Sequence, residues 1–428
     1  MRDPKLSDAL PELVRDGLIT ADQSDRIKAR YAFSNEQSGS RMLLVFAILG
    51  SLLVGLGIIL IIAHNWDDLP RTARTMIAFL PVLFGQGLVL YTLLKKPNVI
   101  AWREGSALLV ACGLCACVAL ISQIYHISGS LEGYLFTCSL LILPLLYLPG
   151  SFTVALGYLA MITWYAWTAR FEGYGAYDRP WYFIGLLAAA VPFYLSEARR
   201  NGTGVSFWWL SLCMALTTGF GSQLFYEGWD FAHALGVVGL AGAFTLVPWL
   251  HVGRELRTWP WTLVGGATIL ITFFIFSFRP VWSDEWHLGK NGINDRILIG
   301  AYLAIGVIGY ALSLRVRKPF ERWPYPEGLL LFALCSVVGL YAPALAAILV
   351  NLALLVLGAV TVKHGIERNS LRRMNLGLAI LSATILLRFF DTDMSFVFRG
   401  LVFIAIGCGF LFMNLRMVRQ RERQRHAD

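Results

Sequence analysis

The residues whose chemistry stands out in this chain gather at three places. At the first, a glycine-bearing apolar run ends in His64-Asn65-Trp66-Asp67-Asp68-Leu69-Pro70. An imidazole titrates near neutral pH and can carry a proton, and an amide and a carboxylate beside it suit a cation or a polar ligand. At the second, another apolar run closes on Gln123, Tyr125 and His126, with Gly129 and Glu132 just beyond. At the third, Arg388, Asp391 and Asp393 precede a last apolar run that carries Arg399 a turn or more inside it. A charge at membrane depth is costly and faces a cavity or a partner, so Arg399 is expected to pair with Asp391 or Asp393. The candidate substrate- or ion-binding set is therefore His64, Asn65, Trp66, Asp67, Gln123, His126, Glu132, Asp391, Asp393 and Arg399. Each has a purely structural reading too. Trp66 suits an aromatic-belt anchor, His64 with Asp67 suits a polar helix terminus, and the acids with Arg399 suit an ion pair. No catalytic residue, metal ligand or cofactor is assigned.

The elements that must position these groups follow from composition. Of 428 residues, 57% are hydrophobic and 15% charged, with a mean hydropathy of +0.61. Soluble domains run at about 45–50% apolar and about 25% charged, so a water-soluble fold, a disordered chain and a disulfide scaffold are all excluded. A helix crossing a bilayer needs about 20 apolar residues. Fourteen stretches qualify: 42–63, 74–94, 105–125, 132–148, 151–168, 180–196, 204–225, 231–250, 260–278, 297–314, 327–342, 344–362, 375–389 and 394–415. Little more than Pro343 separates the eleventh from the twelfth, which gives a range of twelve to fourteen. None alternates with period 2, so helices are expected rather than barrel strands. The fold class is all-α, a polytopic integral membrane helical bundle, with 1–40 as a cytoplasmic helical hairpin, 41–416 as the transmembrane domain and 417–428 as a basic cytoplasmic tail.

Lys and Arg are retained on the cytoplasmic side. With fourteen spans and both termini inside, about three quarters of the 36 basic residues fall inside, among them Lys95, Lys96, Arg199, Arg200, Arg372 and Arg373. The inner face is then basic, suited to anionic lipid headgroups, and the outer face slightly acidic; nucleic acid is not an expected partner. All seven cysteines lie in expected spans, where packing is the ordinary role; Cys112 and Cys115, one turn apart, have the spacing for a soft metal. Residues 1–40 are polar and show no cleavable signal peptide. Within them Leu6, Leu10, Leu13 and Val14 share a face, Gly17 is a helix stop, and Thr20 with Gln23 has capping-box spacing. Ser122-Gln-Ile-Tyr125 and Ser222-Gln-Leu-Phe225 hint at a repeat, as do Pro81, Pro144, Pro192 and Pro248 in alternate spans. Gln86 and Asn351, at mid-membrane, are expected to bond across helices. The 279–296 loop is expected at the interface.

No phosphate-binding glycine loop, dinucleotide turn, nucleophile elbow or zinc helix is present. The motif Gly55, Gly57, Ala63, His64, Asn65, Trp66, Asp67, Leu69, Pro70, with Gln123-Ile-Tyr125-His126 behind it, resembles the bacterial predicted-membrane-protein families of unknown function. The resemblance covers about residues 5–150, and a weaker one extends through 388–414. It implies a bacterial inner-membrane location and a common fold, and no particular activity. Architecture points to a secondary transporter or flippase-like protein with a polar site near the outer face. The alternatives are a non-catalytic envelope assembly factor binding a periplasmic or membrane partner, and an intramembrane transferase acting on a lipid-linked substrate.

Overall fold

The computed structural model describes residues 10, 13–31, 66, 68–147, 150–171, 179–226, 231–250, 259–282, 293–316, 327–368, 370–391, 404, 407 and 408. Those residues form helices and turns, with no strand among them. Where water is absent, each backbone N–H and C=O must bond within its own segment, and a helix does this. The chain divides into two compact units, Met1–Met76 and Ile77–Asp428.

In the first unit, the helical turn at 13–15 ends on Gly17, whose φ of +71° is the left-handed conformation glycine adopts at least cost. Helix α1 (Ala21–Tyr31) opens with the expected capping box. The Thr20 N–H donates to Gln23 Oε1 at 2.9 Å and the Gln23 N–H donates to Thr20 Oγ1 at 3.2 Å. Leu10 is buried, as its place on the apolar face requires.

The second unit carries the bundle. Its helices are α2 (Arg71–Lys95, which begins in the first unit), α3 (Ile100–Ile124), α4 (Leu131–Tyr147), α5 (Phe152–Phe171), α6 (Trp181–Asn201), α7 (Val205–Gln223) and α8 (Phe231–Leu250). They continue with α9 (Trp259–Phe276), α10 (Ile293–Val316), α11 (Glu327–Gly339), α12 (Pro343–Glu367) and α13 (Leu371–Asp391). Each falls on one expected stretch from 74–94 to 375–389; the stretch 42–63 and nearly all of 394–415 lie outside the described residues. The chain is an all-helical membrane bundle. Among the described residues, α2, α3, α6 and α12 are long and apolar enough to cross a membrane, and shorter apolar helices accompany them. α11 and α12 are separate helices, but α11, at 13 residues, rises only about 20 Å, short of a core about 30 Å thick.

The bundle is apolar outside, and small residues sit at its closest helix crossings. On α2, Met76, Phe79, Leu83, Phe84 and Leu94 are exposed, while Ala78, Gly85 and Thr92 are buried. Such an exterior suits lipid rather than water, and small buried residues let helices approach closely. A Cβ on Gly306 of α10 would stand 2.6 Å from the Gly239 carbonyl oxygen of α8, so that crossing requires glycine. One apolar core joins α3 to α9 through Leu135, Tyr158, Phe183, Phe207, Phe244 and Trp261. A second joins α8, α9, α11 and α12 through Val238, Ile269, Phe332, Val350 and Leu354.

Asn351 bonds between elements as expected, its Nδ2 donating to the Ser277 carbonyl at 2.9 Å as well as to Ala347 of its own helix. Gln86 instead lies on an exposed face. The described start of the expected interfacial loop has Arg279 and Pro280 exposed. Arg279–Trp282 form a 3-10 turn in which buried Trp282 donates to the Phe276 carbonyl at 2.7 Å.

Candidate functional site

At one end of the second unit, the start of α4, the end of α5 and the start of α6 surround a cleft of about 510 Å³. This lies within the usual range of small-molecule sites. Its charged lining residues are Glu132 and Arg179, and its aromatic ones are Phe136, Tyr165, Trp181 and Tyr182. Local rules place each group. The Gly133 N–H donates to Ser130 Oγ at 3.2 Å, so Ser130 caps α4 and sets Glu132 in its first turn. A carboxylate is favoured there by the helix dipole. Pro180 precedes α6, where its missing N–H costs nothing, and Arg179 stands just ahead of it. Phe136 packs against both Tyr165 and Tyr182, with ring centroids 5.6 and 5.2 Å apart.

A buried polar cluster adjoins this end. Arg170, 4% exposed near the end of α5, donates from Nη2 to the Tyr226 carbonyl at 3.0 Å. His233, 2% exposed on α8, lies with Nε2 2.7 Å from Gln223 Oε1, and its ring stacks on Tyr226 at 3.9 Å. The Trp181 ring meets Phe225 at 5.4 Å, linking the cluster to the cleft wall. Sequence alone does not single out Arg170, Arg179 or His233. The arginines read only as loop charges, and His233 stands alone inside an apolar stretch. The repeat was the available signal, since Gln223 matches Gln123.

The two segments close their helices with similar backbone bonds. The His126 N–H donates to the Gln123 carbonyl and the Tyr226 N–H to the Gln223 carbonyl, each at 3.3 Å. The side chains then diverge. His126 has φ +51° and is exposed, as is Gln123. Of the predicted residues that are described, Glu132 alone lines the cleft, and it meets α5 and α6 residues there rather than Gln123 or His126. Ser122 and Ile127 border a separate, mostly apolar groove of about 710 Å³ between α2, α3 and α4. In the first unit, half-buried Trp66 begins a turn in which the Leu69 N–H donates to its carbonyl at 3.4 Å. His64, Asn65, Asp67, Asp393 and Arg399 lie outside the described residues; Asp391 is the last residue of α13, its side chain likewise outside.

At the opposite end, Glu104 of α3 reaches the start of α5. Its carboxylate accepts from Ser151 Oγ at 2.5 Å and from the N–H groups of Phe152 and Thr153 at 3.1 and 2.8 Å. The first N–H groups of a helix have no intrahelical acceptor, and a carboxylate satisfies them and the dipole together. Arg103 Nη2 stands 3.7 Å from the same carboxylate. The seven cysteines are free thiols, and no cluster of three or more His, Cys, Asp or Glu suited to a metal occurs among the described residues.

No curated protein and no solved structure matches the chain. Residues 11–155, about a third of the chain, match the model of a family described as "Predicted membrane protein (DUF2157)". That stretch bears out the resemblance to a membrane-protein family of unknown function, and it runs from the polar N-terminal segment to the start of α5, taking in both Glu104 and Glu132.

Proposed function

We infer that this multi-pass membrane protein is a secondary transporter or flippase-like protein of the bacterial inner membrane, with both termini cytoplasmic. The Glu132 cleft is its outward-facing binding site. One observation carries the reading. Helix α5 borders an open, charged cleft at its C-terminal end, while at its N-terminal end it is tied to α3 through Glu104. Access from one side with closure at the other is what a carrier needs in each of its states. The side is assigned by charge. Lys95, Lys96, Arg103, Arg199 and Arg200 flank helix ends on the Glu104 side, which basic-residue retention makes cytoplasmic.

The test is flux through the purified full-length chain in proteoliposomes. A panel of radiolabelled organic cations, anions and zwitterions covers soluble substrates, and dithionite quenching of fluorophore-labelled lipids covers flipping. Movement of at least one probe above that of protein-free vesicles, reduced about tenfold or more in Glu132→Gln, is the expected result. No movement in any arm, from protein that retains its helical signal and melting temperature, overturns the reading.

A further inference from the structure

We propose that the cleft takes a zwitterion, its ammonium held by Glu132 against the Phe136, Tyr165 and Tyr182 rings and its anionic group held by Arg179. This rests on the cleft being the binding site and names the chemistry of its ligand. The carboxylate and guanidinium come from different elements, the first turn of α4 and the segment ahead of α6, yet both line one cavity. Phe136 stands between the two tyrosines, and the pairs are tilted at 43° and 42° rather than stacked flat. Tilted rings beside a carboxylate suit a cation, because an ammonium is attracted to ring faces as well as to the opposite charge. A guanidinium binds phosphate or carboxylate through paired N–H donors. A cleft built this way discriminates by charge pattern: a zwitterion meets both charged groups, whereas a simple amine or a simple anion meets one of them. The volume of about 510 Å³ admits a headgroup together with its glycerol. The shared chemistry, an ammonium a few bonds from an anion, is offered both by a phosphoethanolamine lipid headgroup and by a free zwitterionic solute.

Titration calorimetry on the full-length protein in detergent, with glycerophosphoethanolamine as probe, tests this directly. Ethanolamine and glycerol 3-phosphate serve as the two halves of the charge pattern. The zwitterion is expected to bind at least about tenfold more tightly than either half. Glu132→Gln removes that advantage, and Tyr182→Leu, at a side chain already 69% exposed, weakens binding severalfold without changing the ligand-free melting temperature. Equal binding of the halves, or wild-type affinity in folded Glu132→Gln, overturns the proposal. Repeating the titration in nanodiscs separates the sources. Competition from phosphatidylethanolamine, absent with phosphatidylglycerol, supports a lipid headgroup; equal titration in both supports a free solute. Zwitterion binding without flux removes the transport reading and keeps the ligand class. Flux of another charge class without zwitterion binding does the reverse.

Discussion

Glu104 fastens the first turn of α5 with a side chain from a different helix, and the cost of losing it is calculable. Glu104→Ala leaves the Ser151 hydroxyl and the Phe152 and Thr153 N–H groups without their acceptor. The Ser151 hydroxyl is buried, and burial without a partner costs about 1–3 kcal/mol for such a group, whereas the exposed Thr153 N–H can turn to water. Thermal unfolding in detergent should show that loss of stability, with Glu104→Gln, which keeps one acceptor oxygen, falling between the variant and wild type. Nothing local in the sequence announced this contact, because its partners lie 47 to 49 residues away and an acid beside Arg103 reads as a surface charge. Glu132 was legible because it stands just beyond the polar cluster that closes an apolar run. Arg179 was not, since only the folding of α6 against α4 and α5 turns a loop charge into a cleft wall.

Helices were legible as elements because lipid demands long apolar runs, and α2 to α13 follow those runs. Their pairing was not legible, because it depends on which of 40 glycines meets which backbone. The α12–α13 hairpin shows the point. A Cβ on Gly377 would stand 2.6 Å from the Val362 N and 2.7 Å from the Gly358 carbonyl oxygen, so the two helices touch through backbone. Overpacking such a contact costs about 1–3 kcal/mol. Gly377→Ala should therefore lower the melting temperature, whereas Gly300→Ala, where no atom lies within 4 Å of the added Cβ, should not. Equal melting of the two variants would show that the hairpin is not built on this close approach.

For the whole molecule, composition settled the class, since a chain 57% hydrophobic with a lipid-suited exterior has one compatible solvent. Composition is silent on which end holds the site, because charge retention assigns sides and only tertiary structure gathers Glu132, Tyr165 and Arg179 at one of them. The central claim, that this end is an outward-facing binding cleft, is open to side-specific labelling. Ala169→Cys lines the cleft and Thr153→Cys sits at the Glu104 end. Both are made with the seven native cysteines replaced and are treated in intact cells with a membrane-impermeant maleimide. The account predicts that Ala169→Cys is labelled from the periplasm, that glycerophosphoethanolamine slows this labelling, and that Thr153→Cys is labelled only after the membrane is opened. Labelling of Thr153→Cys in intact cells, with Ala169→Cys protected until lysis, would contradict it.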